Sequence, residues 1–169
     1  MNPHIIIPVL LFSALGGICV PSHAEQTHPV LITDHAVCAP DGVALGGYDP
    51  VAYFLSGPQK GLQDFSAEYE NLTYYFSNAE NRARFIASPD SYLPKYRGWC
   101  SATLSMGRLA CPDFTNYKIE DGQLLLFERI GFSNGLDMWN ADPETAGRNA
   151  DSHFHRLLQE AQTHTTDSE

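Results

Sequence analysis

The residues of this chain best equipped for chemistry are its four cysteines, Cys19, Cys38, Cys100 and Cys111. Thiols form disulfides, ligate soft metals or act as nucleophiles, and their surroundings decide which. Cys100 and Cys111 share the stretch "YRGWCSATLSMGRLACPD" (Tyr96 to Asp113). Cys100 follows Gly98 at the start of a short helical segment, where unpaired N–H groups and the positive dipole end favour a thiolate. Lys95 and Arg97 come shortly before it and add to that field. The competing reading is a small apolar side chain packed against Trp99, the commonest fate of a free cysteine. Cys100, Met106 and a distant histidine would make a soft copper site.

Other constellations are weaker. His153 and His155 are two apart and so lie on different faces of a helix, which is no metal pair. "HAVC" (His35 to Cys38) has a His-x-x-Cys ligand spacing but no second half nearby. The chain carries no nucleophile elbow, phosphate loop, dinucleotide fingerprint or His-Glu zinc helix. Asp49, Asp113 and Asp121 occupy turn or cap positions. No catalytic residue is assigned.

The elements that must position these groups point to an α+β fold, two β-hairpins packed with short helices and a C-terminal helical segment. In "YDPVAYF", Asp49 is placed to cap a short helix that Pro50 opens. "FSAEYENLTYYF" alternates on both sides of Glu70-Asn71, with Phe65, Ala67 and Tyr69 on one face, as a hairpin does. "SNAE" reads as a capping box with Ser77 as N-cap and Glu80 reaching back. The helix that follows carries Ala79, Ala83 and Ile86 on one stripe and ends before Pro89. "WCSATLSMG" is a second short helix, closed by Gly107. "YKIEDGQLLLF" is a hairpin with a type I′ turn at Asp121-Gly122. Leu136 to Gln162 is helical, with breaks near Pro143 and Gly147, and "THTTDSE" frays.

The bulk numbers set the compartment and exclude some partners. The chain has 169 residues, 10 Lys and Arg against 20 Asp and Glu, and a formal charge of −10. So acidic a surface repels phosphate backbones and anionic lipid, which argues against nucleic acid and membrane partners. "IIIPVLLFSALGGICV" (Ile5 to Val20) is too short for a membrane span, and Ser22 and Ala24 suit a small-x-small cleavage site. Ile18 is too bulky for a lipoprotein signal. Residues 1–24 therefore read as a cleaved export leader without stable membrane insertion, 25–42 as an extended lead-in, 43–143 as the domain, and 144–169 as a helix with a frayed tail. A bacterial periplasm fits this organisation and permits disulfides.

"GGYDPVAYF", "YYFSNAENRARFIASPDSYLPKYRGWCSA", "YKIEDGQLLLF" and Trp139 together resemble the YHS-domain family, in its stand-alone exported branch. The resemblance runs from about Val43 to about Leu157 and rests on Tyr48, Asp49, Pro50, Tyr53, Phe54, Phe76, Phe85, Tyr92, Gly98 and Cys100. It implies a small α+β fold related to treble-clef zinc modules, and a metal-handling role in relatives joined to copper-transporting ATPases and monooxygenases. Metal-binding members carry cysteines where this chain has Ala52, Ser77 and Asn81. Zinc or copper(I) needs thiolate or imidazole there, so the inherited site is expected to be lost.

The leader takes Cys19 with it and leaves an odd count, Cys38, Cys100 and Cys111. Cys100 matches a cysteine common in the exported branch, whereas Cys38 and Cys111 lie in Pro-containing loops outside the family motif. The expected bridge is Cys38–Cys111, with Cys100–Cys111 and Cys38–Cys100 as the other pairings. The functional expectation is a non-enzymatic accessory module for a small ligand or a periplasmic protein. Its alternative is thiol redox or copper or zinc chemistry at Cys100 and Met106.

Overall fold

A computed structural model describes residues 37–39 and 41–166, and of residues 162–166 the backbone only. The leader, most of the lead-in and His35 lie outside the described residues. The fold is α+β: three antiparallel hairpins and five α-helices among those residues, with two short 3-10 turns at Ala44–Gly47 and Pro89–Ser91, in the order α1 (Ala52–Leu55), β1 (Leu62–Tyr69), β2 (Leu72–Phe76), α2 (Ala79–Ala87), α3 (Ser101–Ser105), β3 (Asp113–Glu120), β4 (Gln123–Phe127), β5 (Arg129–Ile130), β6 (Ser133–Asn134), α4 (Gly135–Ala141) and α5 (Pro143–Thr166).

Strand β4 organises the molecule. Its residues Leu124 to Phe127 are all buried. Because successive side chains of a strand point to opposite faces, this run feeds two cores. Leu124 and Leu126 join Val51, Tyr53, Tyr74, Phe76 and Phe85 in one cluster. Leu125 and Phe127 join Tyr96, Cys100, Leu104 and Trp139 in the other. The segment before α3 runs parallel to β4, with single bridges from Pro94 to Leu124 and from Cys100 to Leu126.

Both turns foreseen in the sequence form with two consecutive left-handed residues: Glu70 and Asn71 (φ 49° and 59°), and Asp121 and Gly122 (φ 50° and 75°). That geometry matches the right-handed twist of the strands it joins. A third hairpin, β5–β6, not foreseen in the sequence, turns through Gly131 and Phe132.

Several local expectations are corrected. Asn78, not Ser77, caps α2, its side chain accepting from the Asn81 N–H at 2.9 Å. The Ser77 hydroxyl is taken by Asp49, and Glu80 pairs with Arg84 at 2.7 Å instead of reaching back. The buried face of α2 is Asn81 and Phe85, one turn apart, while Ala79, Ala83 and Ile86 are exposed. A single aromatic ring supplies more apolar area than three small or edge residues, and it sets the helix's rotation. The break at Pro143 holds, but α5 runs unbroken through Gly147 and on to Thr166. Gly147 lies beside the Trp139 indole, where a Cβ would sit in ordinary contact at 3.9 Å, so the helix passes it without a break.

The disulfide joins Cys38 to Cys111 across 73 residues, and Cys100 is the free cysteine among the described residues. Gly98 permits the approach: it has φ +87°, and a Cβ there would sit 3.3 Å from the Cys38 carbonyl oxygen. Trp139 is anchored by its Nε1–H donating to Glu120 Oε2 at 3.1 Å. Glu120 also accepts from Lys118, and these donors hold its carboxyl below the ordinary range, Lys118 contributing most.

Two outcomes follow. Replacing Cys38 and Cys111 together by alanine should lower the unfolding free energy by about 2–5 kcal/mol, as loop-closure entropy predicts for so long a loop, measured by urea titration. A depressed carboxyl stabilises the fold above its unfolded pKa, and that stability is lost as pH falls through the folded value. Glu120→Gln should therefore flatten the fall in thermal midpoint below about pH 4, read from melting curves at stepped pH.

Candidate functional site

The residues expected to do chemistry are not brought together. Cys100 is fully buried at the N-cap of α3, where its sulfur accepts the Glu128 N–H at 3.1 Å and the Thr103 N–H at 3.5 Å. Lys95 and Arg97, expected to favour its thiolate, are engaged elsewhere, with Asp151 at 2.8 Å and Glu70 at 2.6 Å. Met106 lies at the other end of α3, exposed. The His153 ring bonds through Nδ1 to the Leu104 carbonyl oxygen at 2.8 Å, fastening α5 to α3, and His155 pairs with Gln159. Among the described residues no three His, Cys, Asp or Glu side chains are grouped to hold a metal ion.

The residues on which the resemblance rests build the frame. Tyr53 donates its hydroxyl to the Phe114 carbonyl at 2.6 Å. Phe54 meets Tyr92 edge-on, and Phe76 and Tyr74 pack on Phe85. Tyr48 lies under the Lys60 ammonium, which is 4.0 Å from its ring centre. Pro50 is buried beside Asp49.

Asp49 is the polar centre of this frame. Its fully buried carboxylate accepts five hydrogen bonds. Oδ1 takes the N–H groups of Val51 (2.9 Å) and Ala52 (3.2 Å), so Asp49 caps α1 even though the regular helix begins only at Ala52. Oδ2 takes the Ser77 N–H (2.8 Å), the Ser77 hydroxyl (2.7 Å) and the Asn81 amide (2.6 Å). Ala52, Ser77 and Asn81 are the positions at which the resemblance places cysteines, and here they converge on one carboxylate. Ala52 has no lone pair, and the other two direct hydrogen-bond donors inward. This donor set does not fit a thiophilic ion.

A cavity of about 240 Å³ lies on the other side of the first core. It is assembled from five separated parts of the chain: the Val37–Leu45 segment, the first hairpin, the Asp90–Gly98 connection, Gln123 and Phe154 of α5. Leu45, Leu72, Leu93 and Phe154 supply apolar wall, and Glu70, Asp90, Lys95 and Arg97 supply charge. Three wall residues, Leu45, Glu70 and Arg97, hold left-handed backbone conformations, at φ 54°, 49° and 51°. In a bulky non-glycine residue this costs of order 1–3 kcal/mol and is commonest at ligand clamps and switch regions.

Tyr74 is the informative wall residue. It is 4% exposed, it comes from the inward face of β2, and its ring packs 4.8 Å from that of Phe85. Its hydroxyl makes no hydrogen bond within the described residues. Burial first, and then the Glu70 carboxylate, push the phenol above its ordinary range, with Arg97 opposing. The hydroxyl thus sits in the field of the Glu70–Arg97 pair. Neighbouring Tyr69, by contrast, gives its hydroxyl to Asp90 at 2.9 Å and is pushed up to about 12, by burial and then by that bond.

Nothing in the sequence reading singled out this site. Glu70 was legible only as a turn residue, Arg97 only as a charge near Cys100, and Tyr74 only as part of the first hairpin. Compared with family models, curated proteins and solved structures, the chain matches none.

Asp49→Ala should destabilise the fold by about 3 kcal/mol or more, since it strands several buried donors at about 1–3 kcal/mol each. Ser77→Ala should cost only about 1 kcal/mol, because it removes one donor and leaves the carboxylate well supplied. Equal costs in urea unfolding would contradict the carboxylate's central place.

Proposed function

We propose that this chain is an exported, periplasmic, non-catalytic binding module on a YHS-type scaffold, and that the cavity beside Tyr74 holds a small amphipathic ligand. The observation that carries the reading is a preformed cavity lined by Tyr74, a 4%-exposed residue whose hydroxyl makes no hydrogen bond among the described residues. A bound molecule can accept from that hydroxyl. Ligand sites are typically concave and apolar with a few convergent polar groups, and this wall has that composition.

The scaffold reading is supported by Ala52, Ser77 and Asn81 meeting at one point, as relatives that chelate through those positions require. Export is supported by the leader pattern and by a disulfide, which suits an oxidising compartment. Among the described residues no helix is long and apolar enough to cross a membrane. The alternative reading, redox or soft-metal chemistry at Cys100, asks for an accessible thiol. The burial of Cys100 and the two N–H groups on its sulfur favour a structural role instead.

The test uses an uncharged probe, 2-phenylethanol, titrated into the full disulfide-bonded chain and followed by amide NMR. Saturable shifts confined to Leu72–Tyr74, Leu93 and Arg97–Gly98 are expected, and Leu93→Trp, which fills the cavity from a half-buried position, should abolish them. Shifts that never saturate, or that survive Leu93→Trp, would remove the cavity as a binding site.

A further inference from the structure

Resting on that binding reading, the polar inventory of the cavity wall narrows the ligand's chemistry. Four charged side chains line it, Glu70 and Asp90 against Lys95 and Arg97. Their formal charges cancel, in a chain whose total is −10. The wall is thus locally balanced on an acidic protein, and it offers both signs at close range.

The charges are incompletely satisfied. Arg97 gives one hydrogen bond, from Nη2 to Glu70 Oε2 at 2.6 Å, while a guanidinium has five N–H donors in a rigid fork. The Glu70 partner uses only Oε2, so Oε1 accepts nothing from the described residues. Asp90 accepts from Tyr69 through Oδ1 alone. Lys95 pairs with Asp151 at 2.8 Å. The Tyr74 hydroxyl is free beside this set. The unused groups on this wall therefore divide into donors (the Arg97 fork and the Tyr74 hydroxyl) and an acceptor, Glu70 Oε1.

A lone carboxylate ligand would meet the Arg97 fork but also the Glu70 carboxylate, and a lone ammonium would meet the reverse conflict. Either would leave an unbalanced charge at a partly desolvated wall. A zwitterion satisfies both halves and keeps the sum at zero. The volume, about 240 Å³, equals about eight water volumes, and Leu45, Leu72, Leu93 and Phe154 leave the far side apolar.

We infer that the ligand is a free apolar α-amino acid. Its carboxylate lies on the Arg97 fork and the Tyr74 hydroxyl, its ammonium on Glu70 Oε1, and its side chain against the Leu45–Leu93–Phe154 wall. No bond is made or broken.

Calorimetric titration of the full disulfide-bonded chain with four isosteric probes tests this: L-phenylalanine, 3-phenylpropionate (no ammonium), 2-phenylethylamine (no carboxylate) and 2-phenylethanol (neither charge). Phenylalanine is expected to bind at least tenfold more tightly than each of the other three. Tyr74→Phe, which keeps the ring on Phe85 and loses only the hydroxyl, should weaken phenylalanine about three- to tenfold and leave 2-phenylethylamine unchanged. Arg97→Gln should erase the advantage of phenylalanine over 2-phenylethylamine. Circular dichroism melts on both variants confirm the fold, and Tyr74→Phe keeps the inference testable if Arg97→Gln unfolds. If 2-phenylethanol binds in the cavity as tightly as phenylalanine, the amino-acid assignment fails while the binding reading stands. If none of the four saturates, both fail.

Discussion

The structure depends on one strand that has no solvent face. Leu124, Leu125, Leu126 and Phe127 alternate between two cores, and each buried side chain contributes about 2 kcal/mol in transfer terms. Register is consequently tightly specified: a one-residue slip of β4 would send Leu124 and Leu126 into the space shaped for Leu125 and Phe127. Its partner β3 absorbs the mismatch between the two layers with a bulge between Asp113 and Tyr117. Within it Asn116 is buried and bonds the Glu128 carbonyl and the Asn134 side chain. From this wall the first hairpin and α2 build outward on one side, and α3, α4 and α5 on the other.

Each half then needs its own polar fastening, and the two solve the problem differently. In the first, Asp49 gathers the start of α1, the end of β2 and the first turn of α2 on one carboxylate. Such charge-assisted bonds are about twice as strong as neutral ones, and every donor in the cluster is used. In the second, separate ties suffice: His153 on the Leu104 carbonyl, Tyr96 on Asp151, and Trp139 on Glu120. The cavity lies where the two halves and the disulfide loop meet, lined by Leu72 and Tyr74 of the first core and by Phe154 beside the second. Its wall holds Leu45, Glu70 and Arg97 in left-handed backbone conformations. That strain supports reading it as a binding site rather than a packing fault.

Legibility followed the range of the interactions. The two type I′ turns, the Asp49 cap, the break at Pro143 and the alternation of the first hairpin are set within a few residues, and all are present. The cap of α2 was misassigned because Ser77 and Asn78 are both good caps. A long-range partner, Asp49, claims the Ser77 hydroxyl and leaves the end of the helix to Asn78. The buried stripe of α2 was misplaced for the same reason, since a buried polar Asn81 defines the inner face and no apolar periodicity announces it. Cys100 was legible as a helix start and, in one of its two readings, as a buried small side chain, and its cover comes from β4 and Trp139 as well as Trp99.

By itself, then, the chain's order of residues determined the α+β class, two of the hairpins and the position of most helices. These rest on local backbone preference and short-period patterning, which neighbours in sequence decide. Only the tertiary structure decided that Ala52, Ser77 and Asn81 meet on Asp49, that Cys100 is sealed from solvent, and that Glu70, Tyr74 and Arg97 face one cavity. Those facts need segments tens of residues apart to be brought within a hydrogen bond of one another, and no local signal encodes that proximity.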